Sequence, residues 1–389
     1  MVLKSIKEVK NLKGRRVVVR VGFDVPLSKS GRVENNYRIK RGLETLKYLI
    51  KHEAKIIILN HLGRPGGKKV KVLSNKPVAT ELSKLLNKKV VQSSEIIGSQ
   101  TRSLIDKMSN GDLVMLENVR FHPREVLNCK RLARQLAGLG DFYVNDNFAS
   151  AHRANSSIVA IAKYLPSYAG FLVQDEVAAL DKVLHSQKHP KVAIIGGAKL
   201  ETKVKVIKKL VAKTDYLLLG GAVANNVLKQ LNYEVGLSKV DKTKLKLASN
   251  ILYNKIKIPV DVVVAGNLLA NAKNSIKAVG SISKKDIILD LGKDTTGLYK
   301  NILSKAKLVV WNGPLGYFEV KKYQISSRAI AKFLASMRGY TIIGGGETVE
   351  MIQELGLIDK FDFVSTGGGS MLEYLEGKIL PGLKSLRKK

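Results

Sequence analysis

The chain has 389 residues, 45% of them hydrophobic, and a single cysteine, Cys129. This composition excludes a mostly disordered protein and an intramolecular disulfide, and the length allows two or three domains of roughly 100–200 residues. Lysine and arginine total 67 against 32 acidic residues, a net charge of +35, which is compatible with nucleic-acid binding or with a strongly anionic substrate.

Short apolar runs alternate along the chain with longer stretches of helical apolar spacing. In the first half the runs predict strands at Arg16–Val21, Lys55–Leu59, Leu113–Leu116 and Phe142–Asn145. A helix is predicted over Gln174–His185. In the second half the runs predict strands at Lys191–Ile195, Tyr216–Leu219, Val260–Val264, Leu308–Trp311, Thr341–Ile343 and Phe361–Val364. The alternation indicates an α/β protein of two doubly wound, parallel-sheet, Rossmann-like domains, joined by this helix and a hinge between Pro166 and Pro190.

Charged side chains follow the predicted strands of the first half. Ligands of open parallel sheets bind beyond the carboxyl ends of the strands, and these ends carry Asp24, the His61–Pro65 segment, Arg120 and Arg153. Any one arginine is more often a surface residue, but several at one edge of a sheet suit a small, multiply charged anion, which guanidinium grips in a bidentate way. The sequence therefore predicts an acid-phosphate site in the first half.

Glycines follow the predicted strands of the second half, where backbone N–H groups at helix starts bind phosphate. They stand at 196–197, 220–221, 344–346 and 367–369. Lys199 and Lys203 are four residues apart, and we predict that they share one face of the helix that opens there. The alternative is a solvated basic face in a lysine-rich chain. The second half is thus predicted to bind a nucleotide, although it contains no Walker A loop.

Two other functions stay open at this point. The charge is compatible with a basic RNA- or DNA-binding protein, but the chain has no aromatic RNA-binding motif and no Cys/His finger. A dinucleotide-dependent dehydrogenase would need a G-x-G-x-x-G turn after a strand, which is absent. Residues 1–16 show no signal-peptide pattern, and no apolar run approaches the ~20 residues of a membrane helix, so we expect a cytoplasmic location without membrane binding.

A series of motifs in family order identifies the chain as similar to phosphoglycerate kinases over nearly its whole length, and its short, insertion-poor form resembles archaeal-type members more than eukaryotic ones. The motifs are HLGRP (His61–Pro65), LENVRF (Leu116–Phe121), YVND (Tyr143–Asp146), AHRANSS (Ala151–Ser157), GGAKLETK (Gly196–Lys203), VWNGPLGYFE (Val310–Glu319), IIGGGET (Ile342–Thr348) and VSTGGG (Val364–Gly369).

The resemblance implies a carboxyl-group phosphotransferase of glycolysis and gluconeogenesis that uses ATP or ADP with Mg²⁺. The implied 3-phosphoglycerate ligands are Asp24, Arg38, His61, Arg64, Arg120 and Arg153. The implied nucleotide ligands are Gly197, Lys199, Lys203, Gly221, Asn312, Glu319, Gly345, Gly346, Glu347 and Thr348. The implied catalytic residues are Arg38, Lys199, Gly346 and Gly369. Glu347 is the expected neighbour of the metal.

The resemblance also implies direct in-line phosphoryl transfer after hinge closure, in a monomer with small-molecule partners and no specific nucleic acid. It implies a 3-phosphoglycerate-binding domain over 1–170, an interdomain helix and linker over 171–189, a nucleotide-binding domain over 190–370, and a tail over 371–389 that returns to the first domain.

Three departures from the family pattern bear on the predicted contacts. Gly22 stands where the family usually has an aspartate, and Asp24 where it has an asparagine. Ala222 replaces the third glycine of a nucleotide turn, and Glu347 replaces an aspartate or histidine. Because residues 22 and 24 are two apart in an extended segment, we expect Asp24 to supply the missing carboxylate to the same pocket.

Overall fold

The computed structural model describes residues 1–246 and 254–388, which form two compact units. Unit 1 consists of Met1–Ala178 together with residues 379–388, and unit 2 is Ala179–Lys378. Within the described ranges, no helix is long and apolar enough to cross a membrane.

Unit 1 is built on a six-stranded sheet in which every pair of neighbouring strands is parallel. Its strands are β1 (Arg16–Val21), β2 (Lys55–Leu59), β3 (Val90–Gln92), β4 (Leu113–Met115), β5 (Phe142–Asp146) and β6 (Ser167–Ala169), in the spatial order β3-β4-β2-β1-β5-β6. Its helices are α1 (Tyr37–Arg41), α2 (Leu43–Lys51), α3 (Lys76–Leu86), α4 (Ser99–Asp106) and α5 (Lys130–Ala137). Helix α6 (Phe171–His185) begins in unit 1 and ends in unit 2.

Helices cover both faces of this sheet, as the side-chain alternation of its strands shows. Val17 and Val19 of β1 belong to one apolar cluster, which also contains residues of α2 and α3. Val18 belongs to a second cluster, which contains residues of α4 and α5. All three valines are fully buried, which explains why β1 reads as a continuous apolar run instead of an alternating one.

Unit 2 repeats the parallel arrangement and adds a small antiparallel sheet. The parallel strands are β7 (Lys191–Ile195), β8 (Tyr216–Leu219), β9 (Ile256–Lys257), β13 (Leu308–Asn312), β14 (Tyr340–Gly344) and β15 (Phe363–Val364), in the spatial order β15-β14-β13-β7-β8-β9. The antiparallel strands are β10 (Asp261–Ala265), β11 (Asn274–Ala278) and β12 (Ile287–Leu291), in the order β11-β10-β12. The helices are α7 (Val204–Lys213), α8 (Gly221–Gln230), α9 (Lys293–Ser304), α10 (Ile325–Leu334), α11 (Gly346–Glu354) and α12 (Gly369–Leu375).

The end of the chain packs on unit 1 through the short helix α13 (Pro381–Lys384). The Gly382 N–H donates to Ala151 O at 2.8 Å, and the Asn145 side chain donates to Gly382 O at 3.1 Å. Leu3 and Arg387 form an antiparallel bridge. Both ends of the described chain therefore contribute to the same unit.

The predicted fold class, two parallel-sheet α/β domains, is confirmed. Strands β1, β2, β7 and β8 have the predicted bounds, and the ends of β4, β5, β10, β13 and β14 differ from the prediction by one residue. The predicted strand Phe361–Val364 is reduced to its last two residues. Helix α6 begins three residues earlier than predicted, at Phe171. The sequence reading missed β3, β6, β9, β11 and β12.

Candidate active site

Side chains from four loops of unit 1 meet beyond the carboxyl ends of β1, β2, β4 and β5. Asp24, three residues after the end of β1, accepts a hydrogen bond from the Gly63 N–H at 2.8 Å through Oδ1. Its backbone carbonyl accepts from Arg38 Nη1 at 3.0 Å, and its Oδ2 lies 3.6 Å from His61 Nε2. Asp24 thus connects the loop after β1 both to Arg38 in the first turn of α1 and to the loop after β2.

His61 is buried at the centre of this group, 3% exposed. Burial, and then the positive charges of Arg20, Arg120, Arg153 and Arg38, lower the pKa of His61 well below its ordinary value. The imidazole is therefore neutral at physiological pH. The arginines that lower the pKa include three that the sequence assigned to the acid-phosphate site, and the structure brings these three together.

Arg120 is also buried, and its Nη1 donates to Gly63 O at 2.7 Å. Its Nε is buried without a hydrogen-bond partner among the described residues. Burial, followed by repulsion from Arg20 and Arg153, lowers the pKa of Arg120 to about 10. A buried guanidinium with an unused donor and cationic neighbours is unfavourable alone, so the site is electrostatically prepared for an anion.

Two further predicted ligands differ in their placement. Arg153 is half-buried, and its Nε lies 3.3 Å from His152 Nε2. Arg64 is exposed, and among the described residues its side chain forms no hydrogen bond or ion pair. The structure therefore does not bring Arg64 into the contacts that join Asp24, Arg38, His61 and Arg120.

The departure at Gly22 has a packing counterpart. A Cβ at Gly22 would lie 2.8 Å from Asn147 Oδ1. The Asn147 side chain is fully buried, donating to Val21 O at 3.2 Å and accepting from the Ser150 N–H at 3.1 Å. A carboxylate at position 22 therefore requires Asn147 to move or to be replaced by a smaller residue.

Unit 2 contains a cavity of about 360 Å³ beyond the carboxyl ends of β7, β8 and β13. Its wall is largely apolar and also contains glycines and three carboxylates. The lining includes Gly197, Gly221, Ala222, Leu237, Lys239, Leu268, Ile288, Asp290, Leu315, Tyr317, Phe318, Glu319 and Glu347. An apolar cavity with a few polar groups is the usual form of a small-molecule site. Lys239 is the one basic residue among the lining residues that the structure describes.

Lys203 is buried beside this cavity. Its Nζ donates to Gly196 O and lies 3.3 Å from Asn312 Oδ1. Burial lowers the pKa of Lys203 to about 8, against the opposing attraction of Glu347. A lysine held by carbonyl oxygens, without a direct ion pair, is ready to interact with an incoming anion.

The prediction that Lys199 and Lys203 share a helix face is wrong. Helix α7 begins only at Val204; Lys203 is its N-cap, and Lys199 lies exposed in the preceding turn. Gly197 has a φ of +98°, which favours glycine, and Asp241 accepts from the N–H of Leu200 at 2.9 Å. These features hold 197–203 as a turn instead of a helix.

Four predicted nucleotide ligands, Gly345, Gly346, Glu347 and Thr348, lie at the start of helix α11. Gly345, with a φ of +96°, is its N-cap, and a Cβ at Gly346 would meet no atom within 4 Å. Thr348 is fully buried, and its Oγ1 has no hydrogen-bond partner among the described residues. Burial and then the charge of Glu319 raise the pKa of Glu347. Gly369 is the first residue of α12.

No group of three or more histidine, cysteine or acidic side chains is arranged to hold a metal in the described ranges 1–246 and 254–388. Mg²⁺ in nucleotide sites usually takes one or two carboxylates and completes its shell with phosphate and water. Glu347 is exposed near the start of α11, and its pKa is raised by partial desolvation and then by the charge of Glu319, so it fits such a single-carboxylate role.

The sequence analysis missed Arg20, which is fully buried in β1 and whose Nη2 lies 2.9 Å from His61 Nδ1. Its signal is the lone charge inside the apolar run RVVVRV, because an arginine is almost never fully buried without a partner. Lys239 and Asp290 in the cavity wall were likewise not predicted from the sequence. Both lie outside the glycine motifs, and the sequence offers no signal for either.

The chain is similar to known proteins in both sequence and structure. A sequence model of the family described as Phosphoglycerate kinase matches residues 6–378. The chain is 42% identical over 384 residues to the phosphoglycerate kinase of Moorella thermoacetica, covering 97% of this chain and 98% of the relative. It is similar to the solved structure of phosphoglycerate kinase from Coxiella burnetii, with a TM-score of 0.85, 36% identity and 99% coverage of both chains. For the structure from Pyrococcus horikoshii OT3, the TM-score is 0.86 at 31% identity, covering 99% of this chain and 98% of that one.

Proposed function

The chain belongs to the phosphoglycerate kinase family, and from that premise we propose how its residues divide the work of the reaction. The reaction of the family is the reversible transfer of a phosphoryl group between 1,3-bisphosphoglycerate and ADP, which gives 3-phosphoglycerate and ATP. It makes the chain a transferase, a kinase whose acceptor is a carboxyl group. The observation that carries the division is the gathering of Arg38, Arg120 and Arg153 around the neutral His61.

Unit 1 is proposed to bind 3-phosphoglycerate. Arg38, Arg120 and Arg153 supply guanidinium groups for its phosphate and carboxylate, and His61 supplies a neutral imidazole. Asp24 offers a carboxylate that is partly exposed and within reach of the same group. Arg64, which is exposed in the loop after β2, keeps its proposed ligand role.

Unit 2 is proposed to bind the nucleotide in its cavity, with Glu319 at the ribose and Lys199, Lys203 and Asn312 at the phosphates. The glycines Gly197, Gly221, Gly345 and Gly346 let the phosphates approach the backbone, and Thr348 adds a hydroxyl at the start of α11. Mg²⁺ arriving with the nucleotide would be held by its phosphates and Glu347, and would neutralise phosphate charge there.

Arg38, Lys199, Gly346 and Gly369 are proposed to contact the group that is transferred. Phosphoryl transfer needs positioning and charge stabilisation more than a base, and these residues offer two cations and two helix-start backbone amides. Direct in-line transfer after hinge closure, a monomeric state and a cytoplasmic location are further parts of the proposal.

The proposed functional domains follow the family arrangement. They are a 3-phosphoglycerate-binding domain over 1–170, an interdomain helix and linker over 171–189, a nucleotide-binding domain over 190–370, and a returning tail over 371–389. The archaeal-type character inferred from the short chain likewise stays a prediction.

A coupled assay with 3-phosphoglycerate, ATP and Mg²⁺ tests the proposal. We expect turnover in wild type, and a loss of at least about 100-fold in kcat/KM when Arg38 is replaced by alanine. The exposed Arg32, just before α1, gives a matched control, and Arg32→Ala should keep wild-type kinetics. Absence of turnover at every salt concentration would contradict the proposal, as would an equal effect of the two substitutions.

A further inference from the structure

Arg20 is an arginine without solvent exposure in the middle strand pair of unit 1, and its guanidinium makes three directional contacts. Nε donates to Ser157 Oγ at 2.8 Å, Nη1 donates to Val21 O at 2.5 Å, and Nη2 lies 2.9 Å from His61 Nδ1. Each nitrogen therefore points at a different group, so the plane and the direction of the guanidinium are fixed.

A buried carboxylate balances this charge through Ser157. The Ser157 Oγ donates to Glu125 Oε1 at 2.5 Å, and the Ser157 N–H donates to Glu125 Oε2 at 3.0 Å. Glu125 is fully buried. The hydroxyl of Ser157 therefore bridges the Arg20 guanidinium and the Glu125 carboxylate. This opposite charge reduces the cost of burying Arg20 and leaves Nη2 of the guanidinium in contact with His61.

The contact between Arg20 and His61 determines where the imidazole carries its proton. A guanidinium has only donors and is not deprotonated in proteins. His61 Nδ1 must accept from Arg20 Nη2, and it therefore carries no hydrogen. The ring is neutral with its hydrogen on Nε2, because a doubly protonated imidazole would turn an N–H of its own against the arginine donor.

The other charged groups around His61 agree with this assignment. Nε2 lies 3.6 Å from Asp24 Oδ2, in the loop after β1. Arg38 of α1, Arg120 after β4 and Arg153 after β5 add positive charge, which opposes protonation of the ring and lowers the pKa of His61 together with its burial.

We propose that Arg20 is a positioning residue for the phosphoryl-transfer reaction, which fixes His61 as a neutral imidazole with its Nε2–H directed at the bound acid phosphate. This inference rests on the proposed role of unit 1 in binding 3-phosphoglycerate. The device gives the site a hydrogen-bond donor that does not titrate. The contribution of His61 to binding of 3-phosphoglycerate is therefore constant over a pH range in which an unrestrained histidine changes its charge.

The first test is the tautomer of His61 in the wild-type protein, measured by ¹⁵N NMR of the histidine rings. The chain has 6 histidines, and the resonance that disappears in His61→Gln identifies this one. We expect one protonated and one unprotonated ring nitrogen, with the proton on Nε2, from about pH 6 to pH 8, the range in which a free imidazole titrates. A protonated Nδ1, or titration near the ordinary value, would overturn the proposal whether or not the enzyme turns over.

The second test removes the guanidinium without leaving Glu125 as an unpaired buried charge. In the double variant Arg20→Met with Glu125→Gln, His61 should begin to titrate or to populate both tautomers. KM for 3-phosphoglycerate should rise about 10-fold and become pH-dependent, while the Kd for ADP, which is proposed to bind to unit 2, stays at the wild-type value. An unchanged His61 spectrum with a KM that is independent of pH would show that Arg20 is only structural.

A third variant separates the proposal from a general disturbance of unit 1. Adding His61→Gln to the double variant replaces the ring by an amide that cannot titrate. The pH dependence of KM should then disappear, because it belongs to His61. If the pH dependence persists in the triple variant, it comes from another group, and Arg20 does not act through His61.

Discussion

Lys203 is a buried cation whose nearest partners are the uncharged oxygens of Gly196 and Asn312. Burial lowers its pKa to about 8 from 10.5, so the folded protein binds this proton less tightly than the unfolded chain does. Above pH 10.5, the pKa of lysine in the unfolded chain, Lys203 is neutral in both states and its burial costs no charge. This part of the free energy of unfolding is lost as pH falls through about 8, the pKa in the folded protein. At neutral pH the protein keeps a charge that costs stability, which is reasonable if that charge serves the nucleotide.

The first prediction concerns this charge. Below about pH 8 Lys203 is protonated and attracts phosphate; above it the free enzyme loses the charge. The KM for ADP should therefore rise as pH increases through about 8. In Lys203→Arg the guanidinium stays charged, so a steady-state pH profile should be flat over the same range. The same rise in both proteins would mean that another group titrates.

The second prediction separates Lys199 from the other exposed lysines. If it contacts the transferring group, Lys199→Ala should lower kcat by about 100–1000-fold with little change in either KM. Lys205, exposed in the first turn of α7, provides the control, and Lys205→Ala should retain wild-type kcat. A normal kcat for Lys199→Ala would make Lys199 an ordinary surface lysine.

Which site residues the sequence could predict depends on how they are positioned. Arg120 and Arg153 follow strands of one parallel sheet, and topology alone brings such residues to the same edge. Arg20 lies inside a strand, and only the folded structure shows that its side chain reaches His61. The turn that separates Lys199 from Lys203 depends on Asp241, about 40 residues further on, so local spacing was a poor guide there.

At the scale of elements, the loop after β1 provides the third prediction. Asp24→Asn should weaken binding of 3-phosphoglycerate by about 1–2 kcal/mol if its carboxylate accepts a substrate hydroxyl. Adding Gly22→Asp should restore KM only when Asn147→Ala is also present, because a side chain at position 22 meets Asn147 Oδ1. Steady-state KM values for the single, double and triple variants test this. Equal values for the double and triple variants would show that Asn147 does not limit position 22.

The start of helix α6 provides the fourth prediction. Asp146 is buried, its Oδ1 accepts from the Val173 N–H at 3.3 Å, and its Oδ2 has no partner among the described residues. Burial raises the pKa of Asp146 to about 7 from 3.8. The folded state therefore binds the proton more tightly than the unfolded state, and stability falls as pH rises from about 4 to 7.

Asp146→Asn should remove this dependence, so that unit 1 of the variant is about 2–4 kcal/mol more stable than wild type at pH 8 and about equally stable at acidic pH. Hydrogen exchange of the β5 amides, such as that of Val144, measures the effect in unit 1. Amides of β13 in unit 2, such as that of Val310, serve as the internal control. A wild-type pH dependence in the Asp146→Asn variant would contradict the prediction.

Helices and strands, like site residues, were predictable where local sequence determines them and were missed where contacts distant in the sequence do. Lys55–Leu59 and Lys191–Ile195 consist mostly of buried apolar residues, many of them β-branched, and this composition marks both strands along the sequence. Strand β11, Asn274–Ala278, is largely exposed and polar, and its pairing with β10 defines it more than its composition does. Strand β3 has only three residues, too few to show a period.

At the scale of the whole molecule, the fifth prediction concerns the net charge of +35. If no dedicated site exists, binding to duplex DNA should be weak, independent of sequence and steeply reduced by salt, because phosphate contacts release counterions. Low ionic strength should also raise kcat/KM for the anionic substrates. Titrations with two unrelated duplexes over a range of salt concentrations test this. Tight binding of one duplex at physiological salt would contradict it.

The packing of α13 on unit 1 has a consequence for biosynthesis. Residues 379–388 contact Ala151, Asn145 and Leu3, yet they leave the ribosome only after every residue of unit 2. Unit 2 is an insertion between two pieces of unit 1, so it can complete its own hydrophobic core during translation while unit 1 still lacks Leu380, Leu383 and Leu386. The core of unit 1 is therefore completed only when residues 379–388 have been synthesised. Until then the nascent N-terminal part exposes apolar surface that a chaperone would recognise.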